Sequence, residues 1–301
     1  MVNTLPKRGP LKRFVIHPLE AIAFYIFIYF MRFLPFDWAS NIGSWLVRLF
    51  GPYTRGQKVA KRNLKNAFPD KTDAEISHIL SGMWDNLGRV AGEWAQIDLI
   101  DTLGPSSRVE VVGAEHMMQA YGHGKSFIAF SAHMANWEIA TLSAAQRGVQ
   151  MGSIYRSASN PWVDRLICRS RGKFCADLIP KGRAGAKRIL GLLKDNHPVA
   201  LLVDQKLNEG LAVPFFGRDA MTAPAPAELA LRLKCPLIPT KLERLPGAKF
   251  RVTMFPPMEL PDTGDKKQDV LILLGQMNDL LESWIRERPE QWFWVHSRWP
   301  D

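Results

Sequence analysis

Most of this chain falls into two regions that differ in the spacing of their hydrophobic and polar residues. Residues 56–100 carry apolar side chains at helical spacing, and Thr72 and Glu75 are spaced as a capping box ahead of the apolar run that begins at Ile76. From about residue 107, strand-like runs alternate with helical stretches: RVEVV 108–112, SFIAFSA 126–132, MGSIYR 151–156, VALLVDQ 199–205, PLIPTKLERL 236–245 and FRVTMF 250–255. We therefore predict an α/β fold with a largely parallel, twisted sheet flanked by helices.

Residues 1–50 form a distinct N-terminal segment. The uncharged run from Ala21 to Met31 is short for a bilayer span, and an amphipathic pattern follows it without an evident signal-peptidase site. We predict an uncleaved membrane anchor whose amino terminus stays in the cytoplasm, because basic residues precede it: Lys7, Arg8, Lys12 and Arg13. A half-inserted helix and an ordinary buried helix are the alternatives. Residues 51–301 form the second predicted domain, with a helical lead-in at 56–100 and an α/β core at 107–301.

The charge balance favours anionic partners. The 301 residues have a formal net charge of +10, which suits a membrane surface or acidic molecules. No nucleic-acid-binding signature accompanies this charge, so we expect no nucleic acid partner. Cys168, Cys175 and Cys235 lack metal-ligand or redox spacing, which indicates reduced thiols.

The stretch SAHMANWE, residues 131–138, is the first candidate site. His133 ends an apolar strand and Glu138 falls near the start of the next helix. One continuous helix would point the two side chains roughly 140° apart, but a strand-to-helix turn can bring them together. A histidine oriented by a carboxylate can act as a general base toward a hydroxyl group. We therefore predict His133 as the base and Glu138 as its partner.

Other polar residues follow strands on the same predicted edge of the sheet, where open α/β folds bind ligands. Arg156 ends MGSIYR, Asp204 ends VALLVDQ, and Arg171 lies in a basic cluster. Arginines at such positions suit phosphate recognition or a developing negative charge. Surface charge for the arginines and a loop cap for Asp204 are the simpler interpretations.

The chain lacks the common cofactor motifs. GHGKS, 122–126, is not a P-loop because Gln119 stands where the first glycine is required, and the segment precedes its strand. No G-x-S-x-G elbow or metal-binding histidine spacing is present. We expect no cofactor and no metal. The simplest chemistry is direct transfer of an activated acyl group to a hydroxyl.

An ordered set of motifs gives this chain a family resemblance. These motifs are KRNLKNAFPD 61–70, H-x-x-x-x-E 133–138, IYR 154–156, VDQ 203–205, VPFFG 213–217, CPLIP 235–239 and PEQWFWVHSRW 289–299. Together they resemble the lipid A late acyltransferases, the lauroyl and myristoyl transferases of the glycerolipid acyltransferase superfamily. The likeness covers roughly residues 20–299.

This resemblance implies an enzyme on the cytoplasmic face of the bacterial inner membrane. It would move a fatty acyl group from acyl carrier protein to a hydroxyl of a phosphorylated lipid A precursor, with the acyl thioester as co-substrate. By the same resemblance, His133 is the base, Glu138 orients it, and Arg156, Arg171 and Asp204 position substrate. Glu138 stands where the wider superfamily has aspartate, which favours the lipid A branch.

Three other functions are compatible with the sequence. A lysophospholipid or ornithine-lipid acyltransferase would use the same mechanism on another acceptor. A hydrolase would use His133 to activate water, and a water-excluding acyl pocket would argue against it. A non-catalytic protein would bind anionic lipid through its helices and basic surface.

Overall fold

The N-terminal helices leave a broad apolar surface uncovered. The structure, a computed structural model, describes residues 12–122 and 124–300, so Lys7, Arg8 and the histidine of GHGKS, His123, lie outside the described residues. A short π-helical turn, Lys12–Ile16, leads into α1 (His17–Phe33). The stretch Phe14–Phe33 is long and apolar enough to cross a membrane, and only 22% of its hydrophobic window is buried. This exposure favours membrane association over a buried core helix.

Three further helices connect α1 to the sheet: α2 (Phe36–Phe50), α3 (Arg55–Ala67) and α4 (Asp73–Trp94). The predicted capping box begins α4, where Thr72 Oγ1 accepts the Glu75 N–H at 3.3 Å and Glu75 Oε2 accepts the Thr72 N–H at 2.8 Å. These bonds satisfy donors that the first helical turn leaves free.

Helices α2 and α4 pack with their backbones in near contact. A Cβ atom on Gly92 would lie 2.1 Å from the Ala39 carbonyl oxygen, and one on Gly88 would lie 2.4 Å from the Gly43 carbonyl oxygen. Because backbone atoms stand on both sides, side chains cannot rotate away to make room. The small residues at these positions therefore fix α2 against the protein core.

Seven strands form the main sheet in the order β1-β9-β8-β2-β5-β3-β4. Their bounds are β1 Val109–Val112, β2 Ile128–Ser131, β3 Met151–Tyr155, β4 Cys175–Pro180, β5 Val199–Leu202, β8 Leu237–Leu245 and β9 Lys249–Met254. All neighbours pair in parallel except β8 and β9, which form an antiparallel hairpin. The predicted largely parallel sheet is confirmed.

Six helices follow the strands or connect them: α5 Ala114–Gly122, α6 Glu138–Gln146, α7 Pro161–Arg171, α8 Arg183–Lys194, α9 Ala225–Leu233 and α10 Lys266–Glu287. Alternate residues in and just before β2 enter opposite cores: Ile128 and Phe130 pack in one, while Phe127 and Ala129 pack in the other. Both faces of the central strand are therefore covered, which explains its continuous apolar sequence.

Two strand features differ from the sequence expectations. The edge strand β4 was not predicted because CADLIP mixes exposed and buried positions without strict alternation. The hairpin of β6 (Leu211–Phe215) and β7 (Arg218–Thr222) was not predicted either, although VPFFG covers its turn. Phe216 and Gly217 both have positive φ, at 53° and 68°, as tight hairpin turns require.

The cysteines are free thiols, as predicted. Cys175 and Cys235 are buried and Cys168 is partly exposed. Burial is the largest influence on the Cys175 thiol and raises its pKa to about 11. This thiol is therefore protonated at neutral pH, when a reactive cysteine would be ionised.

Candidate active site

The central strands bring His133 and Asp204 to the same edge of the sheet. Strands β2 and β5 pair in parallel with Ser131 opposite Leu202. His133 lies two residues after Ser131, and Asp204 lies two residues after Leu202. The two side chains therefore lie at the ends of adjacent strands. The Nδ1 atom of His133 lies 2.7 Å from Asp204 Oδ1, and the backbone N–H of His133 donates to Asp204 Oδ2 at 2.9 Å.

Asp204 is held as a buried carboxylate. Its side chain is 2% exposed, and Trp292 Nε1 donates to Oδ2 at 2.7 Å. Burial alone would raise the pKa of Asp204, but the adjacent His133 and the donated hydrogen bonds outweigh it and hold the pKa at about 2. An ionised acceptor at Nδ1 keeps the proton on that nitrogen and leaves Nε2 free to accept one.

Two aromatic side chains pack against the His133 ring. The ring centroid lies 5.1 Å from that of Trp137 and 5.9 Å from that of Phe293. The Nε2 atom lies 3.4 Å from the side-chain nitrogen of Gln205, an arrangement in which the amide donates to an unprotonated ring nitrogen. With 17% of its side chain exposed, His133 is accessible at this edge of the fold.

Glu138 was predicted as the partner of His133, but its carboxylate instead bonds Arg171. Its carboxylate is 8% exposed and forms an ion pair with Arg171, whose Nε donates to Oε2 at 3.0 Å and whose second nitrogen bonds Oε1. The reason is that Glu138 is the first residue of α6 and its side chain is directed to the end of α7. In this geometry Asp204 occupies the position beside the imidazole that was expected for Glu138.

The Arg171 guanidinium is largely enclosed. Burial tends to lower its pKa, but the charge and hydrogen bonds of Glu138 more than compensate and raise it. The Arg171 guanidinium is thus charged, and the pair joins the start of α6 to the end of α7.

Arg156 lies on the predicted edge and faces solvent. It follows β3 directly and is exposed, and its guanidinium forms no hydrogen bond or ion pair with residues 12–122 or 124–300. Since β3 runs parallel to β5, Arg156 emerges at the edge that carries Asp204. It is therefore a charged group available to a ligand.

The turn between β2 and α6 is fastened to α4 by polar side chains. Ala135 adopts a positive φ of 49°, and Asn86 donates to its carbonyl at 3.3 Å. Asn136 donates to Glu93 Oε2 at 2.9 Å, and Arg244 donates to the same oxygen at 2.9 Å. Glu93 is fully buried, so its carboxyl oxygens need these hydrogen-bond partners. The network fixes the strained turn that carries His133.

His296 belongs to the same region. Its Nε2 accepts the backbone N–H of Lys206 at 3.0 Å. Burial lowers the pKa of His296, as do the nearby Lys181 and His133, while Asp204 opposes this effect. The ring is therefore neutral at neutral pH and serves as an acceptor.

Sequence reasoning missed several of these residues. Trp292 and His296 lie in the PEQWFWVHSRW segment and could have been found through that motif. Asn86 and Glu93 occupy the buried side of α4, seven positions apart, where polar residues in an apolar pattern signal a buried network. Arg244 gives no such signal, because a charged residue near the end of a strand is usually exposed.

A narrow apolar cavity of about 60 Å³ lies between the sheet and α6. Its walls include Met117, Ala129, Met151, Ala200, Ile238 and Met254. Trp137 lines the cavity and also packs against the His133 ring, and Glu138 and Arg171 contribute polar wall atoms. The cavity thus ends near the candidate base without including it.

Comparison with known proteins gives a consistent relationship along almost the whole chain. The profile of the family described as bacterial lipid A biosynthesis acyltransferase matches residues 11–301. A lipid A biosynthesis acyltransferase of Haemophilus influenzae is 25% identical over 273 residues, covering 89% of this chain and 84% of the relative. The lipid A biosynthesis lauroyltransferase of Escherichia coli is 25% identical over 280 residues, covering 88% of this chain and 86% of the relative.

A more distant relative has a differently named substrate. The phosphatidylinositol mannoside acyltransferase of Mycolicibacterium smegmatis is 20% identical over 198 residues, covering 64% of this chain and 62% of the relative. All three relatives carry the names of enzymes that transfer acyl groups. Because the family profile spans residues 11–301, the chain belongs to the bacterial lipid A biosynthesis acyltransferase family and is an acyltransferase.

Proposed function

We propose that this enzyme transfers a fatty acyl group from acyl carrier protein to a hydroxyl of a phosphorylated lipid A precursor. The observation that carries the mechanism is the contact between His133 Nδ1 and the buried Asp204 carboxylate at 2.7 Å. This contact leaves Nε2 available to remove the proton of an incoming hydroxyl.

The transfer proceeds through a tetrahedral intermediate. As His133 takes the hydroxyl proton, the acceptor oxygen forms a bond to the thioester carbonyl carbon, and the carbonyl oxygen becomes an oxyanion. Collapse of this species breaks the carbon–sulfur bond, and protonated His133 returns the proton to the departing thiolate. Backbone N–H groups in the first turn of α6 (Glu138–Gln146) are the candidates to stabilise the oxyanion.

The remaining site residues position the reactants. The Glu138–Arg171 pair anchors the first turn of α6, and Trp137, just ahead of it, packs on the base. Arg156 is exposed beside the site and suits a phosphate of the acceptor. These roles extend the substrate-positioning function expected for Arg156 and Arg171, while Asp204 orients His133.

The apolar cavity is the candidate path for the acyl chain. Its volume of about 60 Å³ is smaller than that of typical ligand pockets, roughly 300–1,000 Å³. The methionine side chains in its walls, Met117, Met151 and Met254, are flexible enough to rearrange. An acyl chain that fills this space would exclude water, which favours transfer over hydrolysis.

The enzyme would act at the cytoplasmic face of the inner membrane. Support comes from the exposed apolar surface of α1, and acyl carrier protein, the proposed donor, is cytoplasmic. Such a helix can hold the site beside acceptor molecules in the bilayer.

Mass spectrometry of lipids from cells that lack this protein tests the proposed acceptor. Loss of one acyl chain from lipid A, restored by the wild-type gene and not by a His133→Ala variant, is the expected result. Unchanged lipid A with altered phospholipids or ornithine lipids would instead identify another acceptor. A His133→Ala protein that restores the acyl chain would overturn the mechanism.

A further inference from the structure

Helix α3 presents a line of cations to solvent. Arg55, Lys58, Arg62 and Lys65 are spaced three, four and three residues apart, so they follow one side of the helix for roughly 15 Å. All four are exposed, as is Lys61 beside them. The helix sequence, RGQKVAKRNLKNA, contains no acidic residue. Its outer face is therefore positive, and Lys65 at its far end pairs with Asp73 of α4 at 2.8 Å.

The opposite face of α3 is fixed to the segment that borders the active site. Ala60, Asn63 and Leu64 are buried, and Asn63 Nδ2 donates to the Trp294 and His296 carbonyl oxygens at 2.7 Å each. Arg62 also donates to Ser297 Oγ at 3.2 Å. The cationic face is thus carried on a rigidly placed helix.

A short series of contacts leads from α3 to the base. His296 accepts the backbone N–H of Lys206 at 3.0 Å, and the preceding residue, Gln205, lies 3.4 Å from His133 Nε2. Phe293, three residues before His296, packs on the His133 ring and donates its backbone N–H to the His133 carbonyl at 3.1 Å. The buried side of α3 is therefore connected to His133 through residues 293–296 and 205–206.

We propose that the cationic face of α3 is the docking surface for the acidic carrier protein that delivers the acyl thioester. This inference rests on the proposed use of a protein-bound donor and assigns that donor a place on the enzyme. Charge complementarity would bring the carrier to the helix and orient it. The thioester would then enter the site past the 293–297 segment.

The composition of α3 favours a protein partner over the bilayer. A helix that lies in a membrane surface inserts apolar side chains into the lipid. In α3, Ala60, Leu64 and Ala67 are buried in the protein, and Val59 is partly buried. Exposed apolar side chains instead occupy the neighbouring helices, including Ile22 and Ile26 on α1 and Trp45 on α2. Lipid contact and carrier contact are thus assigned to different elements.

Charge reversal on α3 tests the docking surface. Arg55 and Lys58 form no hydrogen bond or ion pair with the described part of the chain, so an Arg55→Glu/Lys58→Glu variant removes no internal contact. The matched control is Lys266→Glu/Lys267→Glu, which makes the same charge change at the exposed start of α10. Arg286 in α10 contacts Phe68, the residue that follows α3. Lys266 precedes Arg286 by twenty residues, so the control site lies roughly 30 Å along α10 from the end of α3.

The detergent-solubilised full-length enzyme would be assayed with two donors, lauroyl-loaded acyl carrier protein and lauroyl-pantetheine. We expect reversal on α3 to raise KM for the loaded carrier roughly tenfold or more at low salt, with kcat nearly unchanged. The KM for lauroyl-pantetheine and the retention on phosphatidylglycerol vesicles should match the control. Fluorescence anisotropy should show the same loss of affinity for the labelled carrier.

Three results would overturn the assignment. One is a KM for the loaded carrier within twofold of the control, and another is an equal rise in KM for both donors. The third is a loss confined to vesicle retention, which would assign the cations to anionic lipid. A wild-type enzyme that neither binds nor uses the loaded carrier would refute the proposed donor itself, a result distinct from the first three.

Discussion

Asp204 contacts His133 twice, through the ring Nδ1 at 2.7 Å and through the backbone N–H at 2.9 Å. One carboxylate thereby sets both the tautomer of the ring and the position of its main chain. Rotation of the imidazole away from the site would break the first contact while the second remains. The base is therefore held at two points by a single buried charge.

Replacing Asp204 with asparagine should lower kcat by roughly 10²–10⁴, because an amide can donate to Nδ1 and favour the unproductive tautomer. Steady-state acyl transfer by the purified protein measures this change, with circular dichroism as the check on folding. Glu138→Gln is the comparison variant, and its loss of kcat should be smaller. A near-normal Asp204→Asn enzyme beside an inactive, stably folded Glu138→Gln would restore Glu138 as the partner of His133.

The Glu138–Arg171 pair should contribute mainly to stability. Arg171→Met leaves the buried Glu138 carboxylate without its partner, at a cost of about 3–5 kcal/mol in the free energy of unfolding. Glu138→Gln should cost less, because the Arg171 side chain it leaves unpaired is 22% exposed to solvent. The double variant removes both charges and should be less destabilised than the sum of the single variants. Urea denaturation of all four proteins completes the cycle. Additive losses would show that the two side chains act independently.

Close backbone contact between α2 and α4 makes Gly92 sensitive to the smallest substitution. A methyl group there would lie 2.1 Å from the Ala39 carbonyl oxygen, so Gly92→Ala should destabilise the fold by about 1–3 kcal/mol or more. A Cβ atom on Gly275 in α10 would meet no other atom of the described chain within 4 Å, and Gly275→Ala should stabilise by about 0.5–1 kcal/mol. Opposite shifts in Tm are expected. Equal shifts would mean that α2 moves freely from α4.

Protonation of His296 should weaken the folded state at mildly acidic pH. Its folded pKa lies below the ordinary value of 6.5, so the unfolded chain takes up this proton first as the pH falls. The stabilising contribution is complete above the unfolded pKa and is lost as the pH falls through the folded pKa. His296→Gln keeps an acceptor for Lys206 without titrating. Its unfolding free energy should decline less than that of the wild type between about pH 7.5 and about pH 5.5, and parallel curves would contradict this.

The exposed side of α1 should determine membrane retention. Ile22 and Ile26 are 56% and 65% exposed, and changing both to asparagine leaves the buried Ala21, Ile28 and Met31 in place. We expect more of the enzyme in the soluble fraction after vesicle flotation, because polar groups oppose insertion into lipid. Leu99→Asn/Leu103→Asn replaces exposed apolar residues outside α1 and should not change flotation. Equal release of both variants would show that α1 does not determine membrane binding.

The sequence was most informative where the physical signal is local. Strand β2 is an apolar run between polar segments, and the α4 cap depends on two residues three positions apart, so both could be predicted. The partner of His133 depends on which strand lies beside β2. That strand is β5, whose end lies about seventy residues further along the chain. Hydrophobic periodicity is a local pattern and does not predict which distant strands pair. Proximity in sequence therefore pointed to Glu138, whereas the sheet brought Asp204 to the ring.

The pairing of Ser131 with Leu202 has a consequence for how this family can diverge. His133 and Asp204 each lie two residues beyond the paired ends of neighbouring strands. Many single-residue substitutions along β2 should therefore preserve the contact between them. Insertion or deletion of one residue between Ser131 and His133 would change this offset and move the histidine out of register with Asp204. Length variation should therefore accumulate in surface connections such as the turn at Gly247, which joins β8 to β9, while these two-residue intervals keep their length.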